Sequence, residues 1–547
     1  MKINKILLGA FALSMTFASC SNDEPANGGS GNTDANQYLA VSIRNLSDGS
    51  RATTVGNPEF ENAVGQESAI DANNMYFLFF DGEGNAFPLS AGNVEGTVST
   101  NMVKPTNLLP STGTDGSEPT INGVLVLGKA VGEGYVGTQP TYMLCVANPT
   151  KALGTLENKN IQSVLNEITI ATPSWSNDET VTGDTKNRFL MTNSVYANAD
   201  KSEVIDRITV AGKFKTDPEL AKQNPVTVHL ERVVAKVRVD YTSEANENIF
   251  TVQKRNSDGS IQENGEFNLD NEKVNFTARI EGWRLIKRAS QSNAFKKLTI
   301  ANYSDWTWDW NSFEKNRSYW AESNQGVATA YVNPGYDLEA DNQFTHKSFN
   351  NSKGKETENI VYCYENTGFK NAGVTDRLSN ATAIVIKATI LKDGTPIDMF
   401  KYAGTYHSID DMVEHVVSNY NAKHQNETQA TAANVKFELN KDTNAKPNTW
   451  KAVVEMGTGE DAQRTVIFND LKRWKNGVTS YYLNVRHLGN LTGIVRNHIY
   501  DYVLEGVVGL GVPGNEPENP VPETETFLAA RLNVLQWHVV SNKVTLE

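Results

Sequence analysis

Short apolar segments that alternate with polar residues constrain the fold of this chain most. Leu39, Val41 and Ile43 alternate with Ala40 and Ser42, the period of two that a strand with one buried face shows. Similar segments recur at intervals of roughly ten residues, separated by Gly, Asn and Asp. The segments that predict strands are Tyr38–Arg44, Met75–Phe80, Val124–Leu127, Tyr142–Ala147, Val226–Leu230, Val233–Val239, Ala383–Ile390, Lys451–Glu455, Thr465–Phe468 and Tyr481–Leu488. This pattern is typical of antiparallel β-sandwiches, so we expect an all-β fold.

Few segments predict helices. Residues 408–417 begin with Ser408 as a candidate N-cap, place Asp410 and Asp411 in the first turn and space their apolar residues as on a helix face. A weaker helical pattern lies around residues 161–168.

Length and charge limit the classes of function. A chain of 547 residues is too long for a single core, so two or more domains are expected. Its formal net charge is −14. Because phosphate binding needs clustered Lys and Arg, this balance argues against a nucleic-acid partner.

The N-terminus predicts export. Lys2 and Lys5 precede an apolar run from Ile6 to Phe17, and small residues lead to Cys20. This arrangement indicates a bacterial secretion signal over residues 1–20 that ends in a lipobox, in which Cys20 is acylated. The alternative, a transmembrane helix, needs roughly 20 apolar residues, more than this run contains.

The two other cysteines, Cys145 and Cys363, lie in apolar, strand-like segments far apart in the sequence. A disulfide between them is possible in an oxidising compartment, but buried free thiols are the favoured interpretation. The chain has no cysteine spacing of the zinc-binding type.

The C-terminus combines a stiff spacer with strand patterns. Residues 511–523 are rich in Pro and Glu and predict an extended spacer. Beyond it, apolar residues alternate in two phases, and we expect this end to have no partner in its own chain. The residues that form the pattern are Leu528, Ala530, Leu532, Val534, Leu535, Trp537, Val539, Val544 and Leu546.

No motif predicts catalysis, a metal or a cofactor. The closest histidine pair, His407 and His415, is eight residues apart, which fits one helical face poorly. Trp306, Trp308 and Trp310 alternate, so they lie on one strand face. They either stack on sugars or fill a sandwich core, and the core is the favoured interpretation.

Several motifs together carry a resemblance. They are the lipobox at Cys20, Ser50-Arg51-Ala52, residues 229–237 (HLERVVAKV), 316–321 (NRSYWA), 364–367 (YENT), 493–500 (GIVRNHIY) and 534–539 (VLQWHV). With these motifs in this order, the chain resembles the fimbrillins, which are lipoprotein subunits of type V pili in anaerobic Gram-negative bacteria. It most resembles the Mfa-type structural subunits.

The resemblance implies two transthyretin-like antiparallel β-sandwich domains, over residues 52–224 and 225–510. They follow a propeptide over residues 21–51 and precede a spacer over residues 511–526 and donor strands over residues 527–547. The outer membrane would hold the precursor through the Cys20 lipid until an Arg-specific cysteine protease cuts between Arg51 and Ala52. The implied partners are other copies of the chain and accessory pilus subunits at the cell surface.

The residue pattern supports this scheme on physical grounds. A strand carrying Leu39, Val41 and Ile43 stays at high local concentration while its short polar link is intact. Cutting at Arg51 would free the sheet edge that it covers, and the alternating end 527–547 of another copy could fill it. Two alternatives remain open: a surface glycan-binding lipoprotein, and a pilus anchor subunit that keeps its lipid.

Overall fold

The computed structural model places most of the chain in one compact unit, Asn36–Glu547. It describes residues 37–45, 70–72, 74–90, 99–105, 108–111, 120–150, 153–170, 189–241, 248–256, 258, 260–262, 265–289, 291–302, 311–312, 317–323, 331–332, 360–367, 381–442, 449–487, 493–513, 527–535 and 540–542.

The expected all-β class is confirmed, since strands dominate the described residues. Their α-helices are Ile161–Leu165, Pro218–Lys222 and Ile409–Lys423. Their short 3₁₀ turns are Ile300–Asn302, Ala432–Asn434, Gly459–Asp461 and Lys475–Gly477. Within the described ranges, no helix has both the length and the apolar character needed to cross a bilayer.

The first sheet contains the N-terminal strand, Gln37–Asn45, in its interior. Its described strands, in spatial order, are Met102–Val103, Met75–Phe80, Tyr142–Ala147, Met191–Asn193, Val226–Arg232, Gln37–Asn45, Thr120–Leu127 and Leu109–Ser111, with Ile208–Thr209 paired to Tyr142–Ala147.

The second sheet contains the C-terminal strand, Phe527–Leu535. The main order of its described strands is Ile360–Tyr364, Val234–Tyr241, Ile499–Val508, Ile249–Arg255, Thr277–Ile286, Ala383–Lys392, Val478–Asn484 and Val512–Pro513. Off this path, Ile261–Gln262 pairs with Ile249–Arg255, Thr395–Pro396 with Ala383–Lys392, and Phe527–Leu535 with both Ile499–Val508 and Val540–Asn542.

A third sheet and several strand pairs complete the described part of the chain. The third sheet has the order Glu272–Asn275, Glu266–Leu269, Thr405–Ser408, Met399–Tyr402, Gln463–Trp474, Trp450–Met456 and Val435–Leu439. The separate pairs are Tyr196–Ala197 with Val204–Ile205, Arg288–Ala289 with Tyr331–Val332, Gln291–Asn293 with Ile168–Ile170, Asn311–Ser312 with Arg317–Ser318, and Leu89–Ser90 with Ser99–Thr100.

Helix Ile409–Lys423 packs on the third sheet, and its prediction from the sequence is confirmed. The Ser408 hydroxyl accepts the backbone N–H of Asp411 at 3.3 Å and so caps the first turn. Met412, Val416 and Tyr420 are buried at i, i+4 spacing. They share a hydrophobic cluster with Phe400, Ala452, Val454 and Leu471 of the sheet. The weaker prediction around 161–168 also yields a helix, shortened to Ile161–Leu165 because Ile168–Ile170 forms a strand.

The two large hydrophobic clusters meet where the chain passes from the first sheet to the second. The first cluster includes Val233 and Val234, and the second begins at Ala235. Strand Val226–Arg232 therefore belongs to the first sheet, although the sequence places residues from 225 onward in the second predicted domain. It pairs with Gln37–Asn45 on one side and with Met191–Asn193 on the other, and both of these strands belong to the first sheet.

Candidate functional site

The N-terminal strand lies between two long neighbours of the first sheet. It pairs in parallel with Val226–Arg232 and antiparallel with Thr120–Leu127. In this register Val41 lies opposite Val226 on one side and Gly123 on the other. At its start, the Tyr38 N–H donates to the Lys215 carbonyl at 2.8 Å, and the Lys215 N–H donates back at 3.0 Å. The strand is thus hydrogen-bonded on both sides.

One face of this strand is part of the first hydrophobic cluster. Leu39 and Val41 are each 1% exposed and Ile43 is fully buried, as their alternation predicts. Ser42, on the opposite face, is partly exposed. Three such side chains contribute roughly 5–9 kcal/mol of gross burial free energy. The N-terminal strand therefore fills an apolar slot in the sheet.

Several predicted residues lie outside the described part of the chain. They are Cys20, the cleavage pair Arg51 and Ala52, the tryptophans Trp306, Trp308 and Trp310, and the tail residues Trp537, Val539, Val544 and Leu546. From the same aromatic stretch, Tyr319 and Trp320 are described and both are buried in a hydrophobic cluster.

The C-terminal strand pairs within its own chain, so the expectation that this end has no such partner is wrong. Its backbone runs antiparallel to Ile499–Val508, with Val534 opposite Tyr500 and Leu528 opposite Val507. The physical reason is that strand Ile499–Val508 offers a backbone partner to all nine residues of the C-terminal strand. The predicted donor residues on this strand are Leu528, Ala530, Leu532, Val534 and Leu535.

Three of the motifs that carry the resemblance, residues 229–237, 364–367 and 493–500, contribute side chains to one buried cluster. We call this cluster the polar junction and define it as Glu231, Arg232, Lys296, Glu365, His487, Arg496, Asn497 and His498, all buried. It lies where the two large clusters meet: Tyr364 and Ile499 belong to the first, and Cys363 and Tyr500 to the second.

Arg496 and Glu365 form the central ion pair of the polar junction. Nε of Arg496 donates to Oε2 of Glu365 at 2.8 Å and Nη2 donates to Oε1 at 2.5 Å. The guanidinium also donates to the backbone carbonyls of Ala294 (3.1 Å) and Asn293 (2.5 Å). Both charges are therefore paired and hydrogen-bonded, which a buried ion pair requires.

A second buried pair joins Lys296 to Glu231, with Nζ 2.5 Å from Oε2. Burial lowers the pKa of the Lys296 ammonium, and the nearby Glu231 carboxylate opposes that shift. The ammonium also donates to the Ser318 carbonyl at 3.2 Å. Lys296 lies outside every motif quoted from the sequence, so pattern alone could not place it here.

Two neutral histidines complete the polar junction. Nε2 of His487 donates to the Tyr319 carbonyl at 2.6 Å, and Nδ1 lies 2.9 Å from the Tyr500 hydroxyl. Burial lowers the pKa of His487 to about 4. Burial lowers the pKa of His498 well below its usual value, and the nearby His487 adds to the shift. Because all these groups are buried, the polar junction holds the two clusters together and offers no open face to a substrate.

Cys145 and Cys363 are both free and buried, as the favoured interpretation predicts. Cys145 belongs to the first cluster and Cys363 to the second. Burial raises the pKa of the Cys145 thiol, and it raises that of Cys363 to about 12. Neither thiol is a candidate nucleophile.

Solved structures that resemble this chain include cell adhesion and fimbrial proteins. One is a candidate cell adhesion protein from Parabacteroides distasonis, 12% identical, covering 92% of this chain and 97% of that chain at a TM-score of 0.39. Another is a fimbrial assembly protein from the same organism, 9% identical over 93% and 99% of the chains, at a TM-score of 0.28. A third is the tip fimbrial protein Mfa3 from Porphyromonas gingivalis with a C-terminal truncation, 10% identical over 91% and 99%, at a TM-score of 0.31.

This chain is similar to Mfa-type fimbrial and cell adhesion proteins. No protein-family model matches it, and no curated protein does.

Proposed function

We propose that this chain is a structural, non-catalytic subunit of a surface fimbrium that supports adhesion. In the proposed assembly, the N-terminal strand is cut away and the C-terminal strand of another copy takes its place. One observation carries the proposal: the strand upstream of the predicted cleavage site is an interior strand of the first sheet.

Loss of this strand would leave the first sheet incomplete. Val226–Arg232 and Thr120–Leu127 would each lose a hydrogen-bonded neighbour, and the slot that Leu39, Val41 and Ile43 fill would open to water. Exposed strand edges with an apolar groove are templates for another strand. While the link is intact, the N-terminal strand outcompetes incoming strands because its effective concentration is of order mM.

The C-terminal strand suits the vacated slot. It has nine residues, as the N-terminal strand has, and a period-two apolar pattern. In its own chain it lies between Ile499–Val508 and the three-residue strand Val540–Asn542. In its own chain it pairs at nine and three positions, and in the slot the N-terminal strand pairs at five and eight, so the slot offers a comparable set of backbone partners.

Exchange of this kind joins copies head to tail. A heterologous contact of this type does not close on itself, so repetition produces a filament. Before cleavage, the acylated Cys20 would hold the precursor at the outer membrane. An Arg-specific cysteine protease would then act at Arg51–Ala52, and accessory pilus subunits would join the same filament.

The first experiment locates the cleavage. Surface protein should begin at Ala52, and Arg51→Ala should leave a lipidated precursor with no polymer ladder on unboiled gels. Arg44→Ala is the matched control, since Arg44 lies within the N-terminal strand. Undiminished ladders in Arg51→Ala would contradict the proposal, and a mature form that keeps its lipid would favour an anchor subunit.

The second experiment tests the exchange itself. Ser42 lies opposite Asn122 in the antiparallel register, so Ser42→Cys with Asn122→Cys should form a disulfide that locks the N-terminal strand in place. The locked chain should be cleaved yet fail to polymerise until a reductant is added, while Ser42→Cys alone should assemble normally. Polymer formation by the locked chain under oxidising conditions would overturn strand exchange.

Deletion of residues 527–547 tests the other partner in the exchange. The shortened chain should fold, because it keeps all the described members of the two large hydrophobic clusters. It should also be cleaved but add no further copies. Filaments of normal length from this chain would show that the C-terminal strand is not the donor.

A further inference from the structure

Two histidines and an aspartate gather where strand Thr405–Ser408 of the third sheet leads into helix Ile409–Lys423. His407 lies in strand Thr405–Ser408, and Asp411 and His415 lie in the helix that follows. Nδ1 of His407 is 2.6 Å from Oδ2 of Asp411, and Nε2 of His415 is 3.6 Å from the same oxygen. The three ligand atoms lie within 4.8 Å of one another.

A strand-to-helix turn brings the two histidines together despite their separation in the sequence. An eight-residue separation fits one helical face poorly, but His407 is not in the helix. It precedes the N-cap Ser408, whose backbone N–H donates to Oδ1 of Asp270 at 2.8 Å and so fixes the turn. Asp411 and His415 are then neighbours at i, i+4. The two imidazole centroids lie only 5.0 Å apart.

Two contacts fix the ring of His407. Its Nε2 lies 2.8 Å from the Thr405 hydroxyl, which also lies 3.0 Å from the Tyr402 carbonyl. Its Nδ1 lies 2.6 Å from Oδ2 of Asp411. Nδ1 is therefore the His407 nitrogen available to a metal that Asp411 and His415 also bind.

The donor set favours a metal of the zinc class. Two imidazole nitrogens and one carboxylate oxygen are a common zinc ligand set. With bonds of about 2.0–2.1 Å, tetrahedral zinc holds its ligand atoms about 3.3 Å apart. The two distances to Asp411 lie on either side of that value, so small side-chain rotations suffice. Thr405 would act as the outer partner that fixes the ring of His407, which metal-binding histidines usually have.

We propose that His407, Asp411 and His415 form a binding site for zinc(II) or a closely related divalent transition metal. The His415 side chain is 52% exposed, so the fourth coordination position is open to water or to a ligand from outside. The metal would clasp strand Thr405–Ser408 to helix Ile409–Lys423. This site shares no residue with the N-terminal strand or the polar junction, so it stands independently of the proposed function.

Calorimetric titration of the purified chain, without an oligohistidine tag, with ZnCl₂ tests the proposal. One equivalent of Zn²⁺ should bind, and Co²⁺ should give the visible absorption bands of a tetrahedral site. His415→Gln should abolish binding without affecting folding, because that side chain is largely exposed. Thr405→Val should weaken binding by about tenfold or more.

His424→Gln is the matched control, since His424 ends the same helix and stacks on Tyr420 away from the cluster. It should bind Zn²⁺ as the unmodified chain does. Absence of one-to-one binding in the unmodified chain would overturn the proposal, as would equal binding by His415→Gln.

Discussion

Arg496 and Glu365 form a two-bond ion pair in which neither side chain is exposed to solvent. Glu365 directly follows strand Ile360–Tyr364, and Arg496 precedes strand Ile499–Val508. These two strands flank Val234–Tyr241 on opposite sides. The ion pair therefore bridges the end of the middle strand, at the point where the two large hydrophobic clusters meet.

Breaking this pair should be costly. Glu365→Gln leaves the Arg496 guanidinium buried without its counter-charge, so the free energy of unfolding should fall by about 3–5 kcal/mol. Urea denaturation of the uncleaved chain measures the change. The double variant Glu365→Gln with Arg496→Met should recover part of the loss, because it leaves no unpaired charge.

A matched control comes from an exposed pair, Lys273 and Glu266, with side chains 77% and 52% exposed. Glu266→Gln should change stability by less than about 1 kcal/mol. An effect of Glu365→Gln as small as this would show that the buried ion pair does not stabilise the contact between the two large hydrophobic clusters.

Stability should fall as the pH drops below about 6.5. His487 and His498 are neutral in the folded chain because burial lowers the pKa of both, His487 to about 4. At pH values between a histidine's lowered pKa in the folded chain and its usual pKa, the unfolded chain binds more protons than the folded chain does. Each histidine then lowers the free energy of unfolding by at most roughly 1.4 kcal/mol for each unit by which the pH falls. Urea titrations between pH 7 and pH 5 measure the slope. His487→Gln should be less stable at pH 7 but show a shallower slope, and an unchanged slope would contradict this assignment.

The apolar face of the N-terminal strand should matter only while the strand is attached. Leu39→Ala in the uncleaved chain should lower the free energy of unfolding by about 2–5 kcal/mol, because it leaves a cavity in the first cluster. Ser42→Ala, on the opposite face, should change it by no more than about 0.5 kcal/mol. Differential scanning calorimetry of both variants provides the comparison, and equal effects would show that the burial pattern is not as described.

Cys145 and Cys363 should resist thiol reagents in the native state. Both are buried, and burial raises the pKa of both thiols, so little thiolate is present at neutral pH. With Cys20 replaced by Ser, the native chain should react slowly with a chromogenic disulfide reagent. In denaturant, two equivalents should react at once. Fast native labelling would place one thiol at the surface.

Local sequence patterns predict which segments of this protein form strands and helices better than they predict which strands pair. The alternation of Leu39, Val41 and Ile43 predicts a strand over residues 38–44, and the structure extends it by one residue at each end. Ser408 and the acids after it predict the helix equally well. Both signals lie within one short segment of chain.

Pairings between distant segments leave no such signal. Nothing near Val226 in the sequence indicates that it lies beside Val41 and not in the second sheet. The same limit explains why the prediction for the C-terminus is wrong. Leu532 lies opposite Tyr502 of strand Ile499–Val508, and no residue near Leu532 in the sequence indicates that pairing. The limit also explains His407 and His415, since a helical wheel assumes one helix and the chain changes structure between them.

The interior position of the N-terminal strand has a consequence for how the chain acquires its structure. This segment is synthesised first, yet its parallel neighbour, Val226–Arg232, emerges only after most of the first cluster has been made. Contacts between such distant segments form slowly. The N-terminal segment therefore keeps its apolar side exposed until that neighbour has been synthesised. During this interval a chaperone would protect it from aggregation.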